Sequence, residues 1–169
     1  MKIIGIDFGT QNSVVSEWTG SNSLVVTGIG NEGIISSDVM ISKNGEIKVS
    51  SKTHSAYYQD FILEQHIKRR LINSLEHRNH ENTQYLTNIT LQKIRTIYND
   101  YSLLSSDKVV LAIITCPANA GQAYRETLID IARKVGLPSI DIVDEPTAAA
   151  VHHGLGQKAS TNERWMIID

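Results

Sequence analysis

The sequence has almost no cysteine, which excludes one class of small fold. Cys116 is the single cysteine among 169 residues, so no internal disulfide framework can form. It follows the apolar run 112–115, a context that predicts a small buried side chain rather than a reactive thiol. With 41% hydrophobic and 20% charged residues, the chain is long enough to bury a core of its own.

The sequence also lacks an excess of charge and a long apolar run. Sixteen basic and 18 acidic residues give a net charge of −2, which argues against nucleic acid or an anionic membrane as the main partner. No apolar run approaches the roughly 20 residues that span a bilayer. The first residues reach Asp7 too soon for a signal peptide. We therefore expect a reduced, cytoplasmic protein with no nucleic-acid and no membrane partner.

Several motifs of enzyme chemistry are missing as well. The six histidines do not gather at metal-ligand spacing, and neither a Walker A motif nor a G-x-S-x-G motif is present. What remains is an alternation of strand and helix patterns. We predict strands over 2–8, 13–18, 23–27, 39–42, 46–49, 109–115, 140–143 and 165–169, and helices over 56–72, 86–104, 120–135 and 146–153, with a loop over 73–83.

Two predicted strands end in a carboxylate. Asp7 closes the first strand and is followed by the turn Gly9, Thr10, Gln11 and Asn12, while Asp169 closes the last strand. Carboxylates at strand ends suit a hydrated Mg²⁺, and a glycine turn lets backbone N–H groups approach phosphate oxygens. On spacing alone, an ordinary hairpin turn explains the same residues.

Glu145 and a basic run carry two further hypotheses. Glu145 begins a helix, where a carboxylate serves either as a cap or as a group that orients water near a phosphate or metal. Lys68, Arg69 and Arg70 form either a solvated helix face or the source of one cation that reaches a phosphate site.

Taken together, these residues resemble the Hsp70 chaperones, within the larger superfamily of actin, Hsp70 and sugar kinases. Residues 5–13 are similar to the family's first phosphate motif, and residues 143–155 contain the whole Glu-Pro-Thr-Ala-Ala-Ala string of the signature at the hinge between lobes. Residues 112–118 are similar to the strand and proline before the next family helix, with Arg125 eight residues after Pro117.

This resemblance implies the first lobe of an ATPase: an α/β fold with a ribonuclease-H-like mixed sheet, flanking helices and a reduced peripheral subdomain. It implies a core subdomain over 1–40 and 108–163, an inserted subdomain over 41–107, and the first strand of a second lobe over 164–169. ATP or ADP and Mg²⁺ are the implied cofactors. Asp7 and Asp169 would hold Mg²⁺ through water, Gly9, Thr10, Gln11 and Asn12 would line the phosphates, Glu145 would order water or a cation near the γ-phosphate, and Pro117 and Arg125 would relay nucleotide state.

The sequence departs from the family pattern at three places. Gln11 and Asn12 stand where the family has threonine and tyrosine, which bears on its K⁺ site. The family's catalytic lysine precedes Arg-Leu-Ile, so counting back from Leu71 selects Arg69, whereas Lys68 fits only with a shift of one residue. The segment between Ile72 and Val109 is also shorter than in typical chaperones of the family.

The same resemblance sets the expected partners and two alternatives. In the family, the second phosphate loop, the adenosine pocket and the peptide-binding domain follow the position of Asp169. We therefore expect a fragment that is inactive alone, from a parent that binds client proteins, a J-domain co-chaperone and a nucleotide exchange factor. The alternatives are a nucleotide-controlled, actin-like filament or regulatory binding module, and a degenerate pseudo-ATPase.

Overall fold

The computed structural model describes residues 1–44, 47–48, 61–77, 80–154 and 166–167. Its strands are β1 (Lys2–Phe8), β2 (Asn12–Trp18), β3 (Ser23–Val25), β4 (Ile34–Ser36), β5 (Val39–Ser42), β6 (Ile47–Lys48), β7 (Phe61–Glu64), β8 (Val109–Cys116) and β9 (Ile140–Asp144). Its helices are α1 (Ile67–Glu76), α2 (His80–Leu104), α3 (Gln122–Val135) and α4 (Glu145–His152).

The main sheet mixes antiparallel and parallel strands, as the resemblance implies. Its order is β3-β2-β1-β8-β9, with β4 also paired to β2. β1 runs antiparallel to β2, whereas β8 runs parallel to both β1 and β9. The expected α/β architecture of a mixed sheet with flanking helices is thus confirmed.

One face of this sheet and the helices enclose the core. Alternate side chains of β1 point inward, because strand side chains alternate between faces, and Ile4, Ile6 and Phe8 are buried. On the opposite face of β1, Asp7 is exposed. α2 and α3 pack side by side, and α1 packs against both. α3 ends at Val135, as predicted, and Gly136 follows it in the left-handed conformation that favours glycine.

A second sheet of order β6-β5-β7 corrects the helix predicted over 56–72. Residues 61–64 form β7, which pairs antiparallel with β5 in a register that joins Val39 to Glu64. The helix starts only at Ile67, after His66, whose φ of 53° is left-handed. A short apolar run fits either a strand or a helix, and its pairing with a distant strand decides. Residues 56–60 lie outside the described part.

The loop predicted over 73–83 is also wrong in large part. α1 continues to Glu76 and α2 begins at His80, so polar residues occupy the facing ends of two packed helices. The hydroxyl groups of Ser74 and Thr83 hydrogen-bond to each other across this junction. The pairing of the two helices therefore accommodates a composition that is typical of loops.

Two further differences concern a short strand and the last residues. β4 is a strand that the sequence analysis did not predict, and it pairs with β2. The predicted strand over 165–169 lies outside the described residues apart from Met166 and Ile167, neither of which is in a strand.

In the described part of the chain, no helix is both long and apolar enough to cross a membrane.

Candidate functional site at the carboxyl edge of the main sheet

The carboxyl ends of β1, β8 and β9 meet at one edge of the sheet because the three strands are parallel. This edge brings together Asp7, Thr115 and Glu145 from distant parts of the sequence. The Thr115 hydroxyl donates a hydrogen bond to Asp7 Oδ1 at 2.6 Å. The edge has the position at which open α/β sheets bind ligands.

The turn from Gly9 to Asn12 lies at the same edge and is held in place. A Cβ atom on Gly9 would lie 2.2 Å from the carbonyl oxygen of Asn12, so no other residue fits without a shift of the backbone. The Ser37 N–H donates to the Gln11 carbonyl at 2.7 Å, and the buried hydroxyls of Ser13 and Ser37 lie 2.8 Å apart. A fixed turn with a glycine at its start suits close approach by an anionic oxygen.

Lys68 is the member of the basic run that reaches this edge. Its ammonium group donates to Glu145 Oε1, and its side chain is only 4% exposed, against 21% for Glu145. Arg69 is exposed, and Arg70 pairs with Glu64 instead. The three residues therefore point in different directions and do not form one solvated face. Counting back from Leu71 selected Arg69, but the structure brings Lys68 to Glu145.

The Lys68–Glu145 pair joins two helix N-termini. Glu145 is the first residue of α4, where the positive end of the helix dipole favours a carboxylate. Lys68 lies in the first turn of α1, where the same dipole disfavours a cation. Asp144, the N-cap of α4, makes no side-chain capping hydrogen bond. Glu145 thus compensates a lysine that both burial and the dipole disfavour.

Pro117 and Arg125 lie together beside this pair. Arg125 donates to Asp144 Oδ1 at 2.7 Å and to the carbonyl oxygens of Pro117 and Ala118 at 3.5 and 3.4 Å. The hydrogen bond to Asp144 raises the pKa of Arg125. Because Asp144 directly precedes Glu145, one end of α4 carries ion pairs to both α1 and α3.

Cys116 is buried, as predicted, and its thiol donates a weak hydrogen bond to Asp144 at 3.7 Å. Burial raises the pKa of this thiol, with the carboxylates of Asp144 and Glu145 adding to the effect. The thiol therefore stays protonated near neutral pH, which fits a packing residue rather than a nucleophile.

Sequence reasoning missed three residues at this edge: Thr115, Asp144 and Tyr124. The first two could have been found from the rule that parallel strands end at one edge, which places both near Asp7 and Glu145. Tyr124 carries no such signal. Its side chain is 2% exposed, and its hydroxyl has no hydrogen-bond partner among the residues the structure describes. Burial, followed by the nearby Cys116 and Glu145, raises the pKa of its phenol.

The donor set fits a nucleotide with a hydrated metal better than a cation held by protein alone. Within the described residues, no cluster of three or more His, Cys, Asp or Glu side chains could hold a metal ion. Mg²⁺ needs only one or two carboxylates when water and phosphate oxygens complete its shell, and Asp7 is exposed at the edge. Asp169 lies outside the described part of the chain.

Comparisons with known proteins agree with this geometry. The sequence model described as "Hsp70 protein" matches residues 49–169, which is most of the chain. A relative from Arabidopsis thaliana, "Heat shock 70 kDa protein 6, chloroplastic", is 28% identical over 194 aligned positions. The alignment covers 99% of this chain but 27% of that relative, so the chain spans about a quarter of its length. The chain therefore belongs to the Hsp70 family.

Proposed function

We propose that this chain forms one wall of an ATP-binding cleft whose Mg²⁺-dependent hydrolysis is coupled to the binding of client proteins. The observation that supports this most is the meeting of Asp7, the fixed Gly9 turn and the Lys68–Glu145 pair at one sheet edge. A carboxylate, backbone donors, a cation and a second carboxylate are the groups that phosphoryl transfer uses.

Each of these residues has a separate role in the proposal. Bound Mg·ATP would supply the reactive γ-phosphate and the metal charge that offsets its oxygens. Asp7 and Asp169 would hold the metal through water. The turn of Gly9, Thr10, Gln11 and Asn12 donates backbone N–H groups to phosphate oxygens.

Lys68 and Glu145 would act on the outer phosphate. Lys68 is a compact point charge, which suits a single phosphate oxygen better than the broad fork of an arginine. Glu145 accepts a hydrogen bond from the attacking water and so orients it. Because the two side chains already pair, a phosphate that attracts Lys68 would free the Glu145 carboxylate for this water. Arg69, which is exposed, takes no part.

The remaining assignments are also part of the proposal. The division into 1–40 with 108–163, 41–107 and 164–169 stays a prediction. The separate sheet of β5, β6 and β7 supports an inserted subdomain, and it begins at Val39, two residues before the predicted boundary. Pro117 and Arg125 relay the nucleotide state, a role supported by the Arg125–Asp144 ion pair beside Glu145. The parent would act in the cytoplasm with client proteins, a J-domain co-chaperone and an exchange factor. The name of the Arabidopsis relative places that protein in the chloroplast. From the same family resemblance we also expect a role of the parent in the stress response and a requirement for K⁺.

The test is Asp7→Asn in the full-length protein that contains this chain. We expect Mg²⁺-dependent ATP hydrolysis to fall by at least tenfold, because Asn loses the charge that holds the metal's water shell. Nucleotide affinity measured by calorimetry should change much less. Arg69→Ala, a change at an exposed residue of the same basic run, is the matched control and should keep wild-type turnover.

Three outcomes would contradict the proposal. Unchanged hydrolysis in Asp7→Asn would remove Asp7 from the site. Absence of nucleotide binding by the wild-type protein would favour a degenerate pseudo-ATPase. ATP-dependent sedimentation of a polymer would instead favour a filament-forming protein. We also expect the 169-residue chain alone to hydrolyse ATP far more slowly than the full-length protein, because it provides one wall of the cleft.

A further inference from the structure

Thr115 is the residue through which β8 contacts the carboxylate of β1. Its Oγ1 donates to Asp7 Oδ1 at 2.6 Å, between residues 108 positions apart. A hydroxyl that donates to a carboxylate makes a short and comparatively strong hydrogen bond. The contact therefore fixes a side chain that is otherwise exposed at the edge of the sheet.

The sheet register makes this contact specific. β8 alternates between faces, so Ile114 and Cys116 point into the core and Thr115 points to the face that carries Asp7. The parallel pairing of Ile6 with Ile114 sets the following residues, Asp7 and Thr115, side by side. A shift of one residue in either strand would replace the hydroxyl by an apolar side chain.

Thr115 is also the one side-chain partner of Asp7 among the described residues. On its other side, Asp7 faces Val14 of β2, which has no polar side-chain atom. The second oxygen of the carboxylate, Oδ2, has no hydrogen-bond partner in the described part of the chain. Rotation about the terminal bond of an exposed aspartate is broad, so one strong hydrogen bond at Oδ1 selects an orientation for Oδ2.

We propose that Thr115 is a positioning residue, whose hydroxyl holds Asp7 with Oδ2 turned toward the hydrated divalent cation that accompanies the nucleotide. This inference rests on the proposed function. Partners of metal-binding side chains commonly contribute ten- to hundredfold in metal affinity, and contact through water places the expected effect near the lower limit. Thr115 touches neither nucleotide nor metal in this role, and it acts only through Asp7.

The experiment compares Thr115→Val with Thr115→Ser in the full-length protein. Valine keeps the shape and strand preference of threonine but lacks the hydroxyl, whereas serine keeps the hydroxyl. The probe is Mn²⁺, whose binding in the presence of ADP is measured by electron paramagnetic resonance. We expect Thr115→Val to weaken Mn²⁺ binding about tenfold. Serine should restore binding to near the wild-type value, and ADP affinity in a chelator should be the same for all three proteins.

A double substitution separates positioning from a merely structural effect. If Thr115 acts through Asp7, then Thr115→Val should cause no further loss of Mn²⁺ binding in an Asp7→Asn background. An equal loss in both backgrounds would overturn the inference, as would wild-type Mn²⁺ binding in Thr115→Val. Thr115→Ala provides a second variant without the hydroxyl, should the valine protein fold poorly.

The outcomes also separate this inference from the function on which it rests. A wild-type protein that binds no ADP, or binds it without any effect of Mn²⁺, would overturn both. A wild-type protein that binds Mn²⁺ with ADP, with Thr115→Val unchanged, would overturn the role of Thr115 alone.

Discussion

The Lys68–Glu145 pair provides a stability prediction that needs no ligand. Replacing Glu145 by glutamine removes the charge that compensates Lys68 but keeps the shape of the side chain. The Lys68 ammonium then remains at a position where the side chain is 4% exposed, next to the fully buried Ile67 and close to Leu71. Replacing Lys68 by methionine instead removes the buried charge and keeps the apolar stem.

The magnitudes follow from the burial of each partner. Removing one member of a buried ion pair costs about 3–5 kcal/mol, because the other charge is left uncompensated. Glu145 is 21% exposed, so water partly screens the pair, and we expect a loss of about 3 kcal/mol for Glu145→Gln. Lys68→Met should cost only about 1 kcal/mol, since Glu145 keeps some solvent and the favourable dipole of α4. The double variant should lose less than the sum, with a coupling energy of about 2 kcal/mol.

The assay is urea unfolding of the 169-residue chain, followed by circular dichroism at the helix minimum. A shift of the midpoint with an unchanged slope reports stability, whereas a changed slope would signal a different unfolded or native state. Arg69→Met is the matched control for Lys68→Met, because it removes a neighbouring charge that is exposed. We expect the control to stay within about 0.5 kcal/mol of wild type.

Two outcomes would contradict the role of this ion pair. If Glu145→Gln and Lys68→Met each cost less than about 0.5 kcal/mol and add without coupling, the pair behaves as an ordinary surface ion pair. If Arg69→Met costs more than Lys68→Met, the basic residue that pairs with Glu145 has been assigned one position too early.

Three further changes test other titratable or polar side chains. Burial lowers the pKa of Lys93 to about 8, so between pH 8 and pH 10 the unfolded chain binds a proton that the folded chain has lost. Over this range the unfolding free energy of the wild type should rise relative to that of Lys93→Met, by up to about 1.4 kcal/mol per pH unit. A pH-independent difference between the two proteins would refute this. Tyr124→Phe should raise the unfolding free energy by about 1 kcal/mol, because it removes a buried hydroxyl that has no partner among the described residues. A loss of stability in thermal melts would show instead that this hydroxyl is hydrogen-bonded. The hydrogen bond from Lys2 lowers the pKa of Glu17. The contribution of Glu17 to the unfolding free energy is therefore present above the unfolded pKa of 4.5 and is lost as the pH falls through the folded pKa. Below pH 4.5, Glu17→Gln should lose less unfolding free energy than the wild type does, and an equal loss in the two proteins would contradict the assignment.

The strands of the main sheet other than β4 could be predicted from the sequence because their patterns are local. β1 and β8 are rich in β-branched and other apolar residues, which is typical of strands buried between neighbours. The positions of Asp7 and Glu145 at element ends follow from the same patterns. That Asp7 and Glu145 lie at one edge of the sheet follows once β1, β8 and β9 are known to be parallel.

The elements that escaped prediction depend on distant partners. Residues 61–64 have the same apolar letters in a helix or a strand, and their pairing with β5 decides between them. The choice between Lys68 and Arg69 depends on where α1 begins, since each residue turns a helix by about 100°. That start follows His66 in a left-handed conformation, which the residue pattern does not reveal. The Thr115–Asp7 contact likewise joins positions 108 residues apart.

The parallel pairing of β1 with β8 also governs when the protein can fold during its synthesis. β1 and β2 form a local hairpin, which can pair early because the connecting turn is short. The other edge of β1 has no partner until the ribosome has released the chain through Cys116, and closing so long a loop is slow compared with local pairing. Until β8 has emerged, a nascent chain therefore exposes the unpaired edge of β1, whose backbone N–H and C=O groups can pair with strands of other chains.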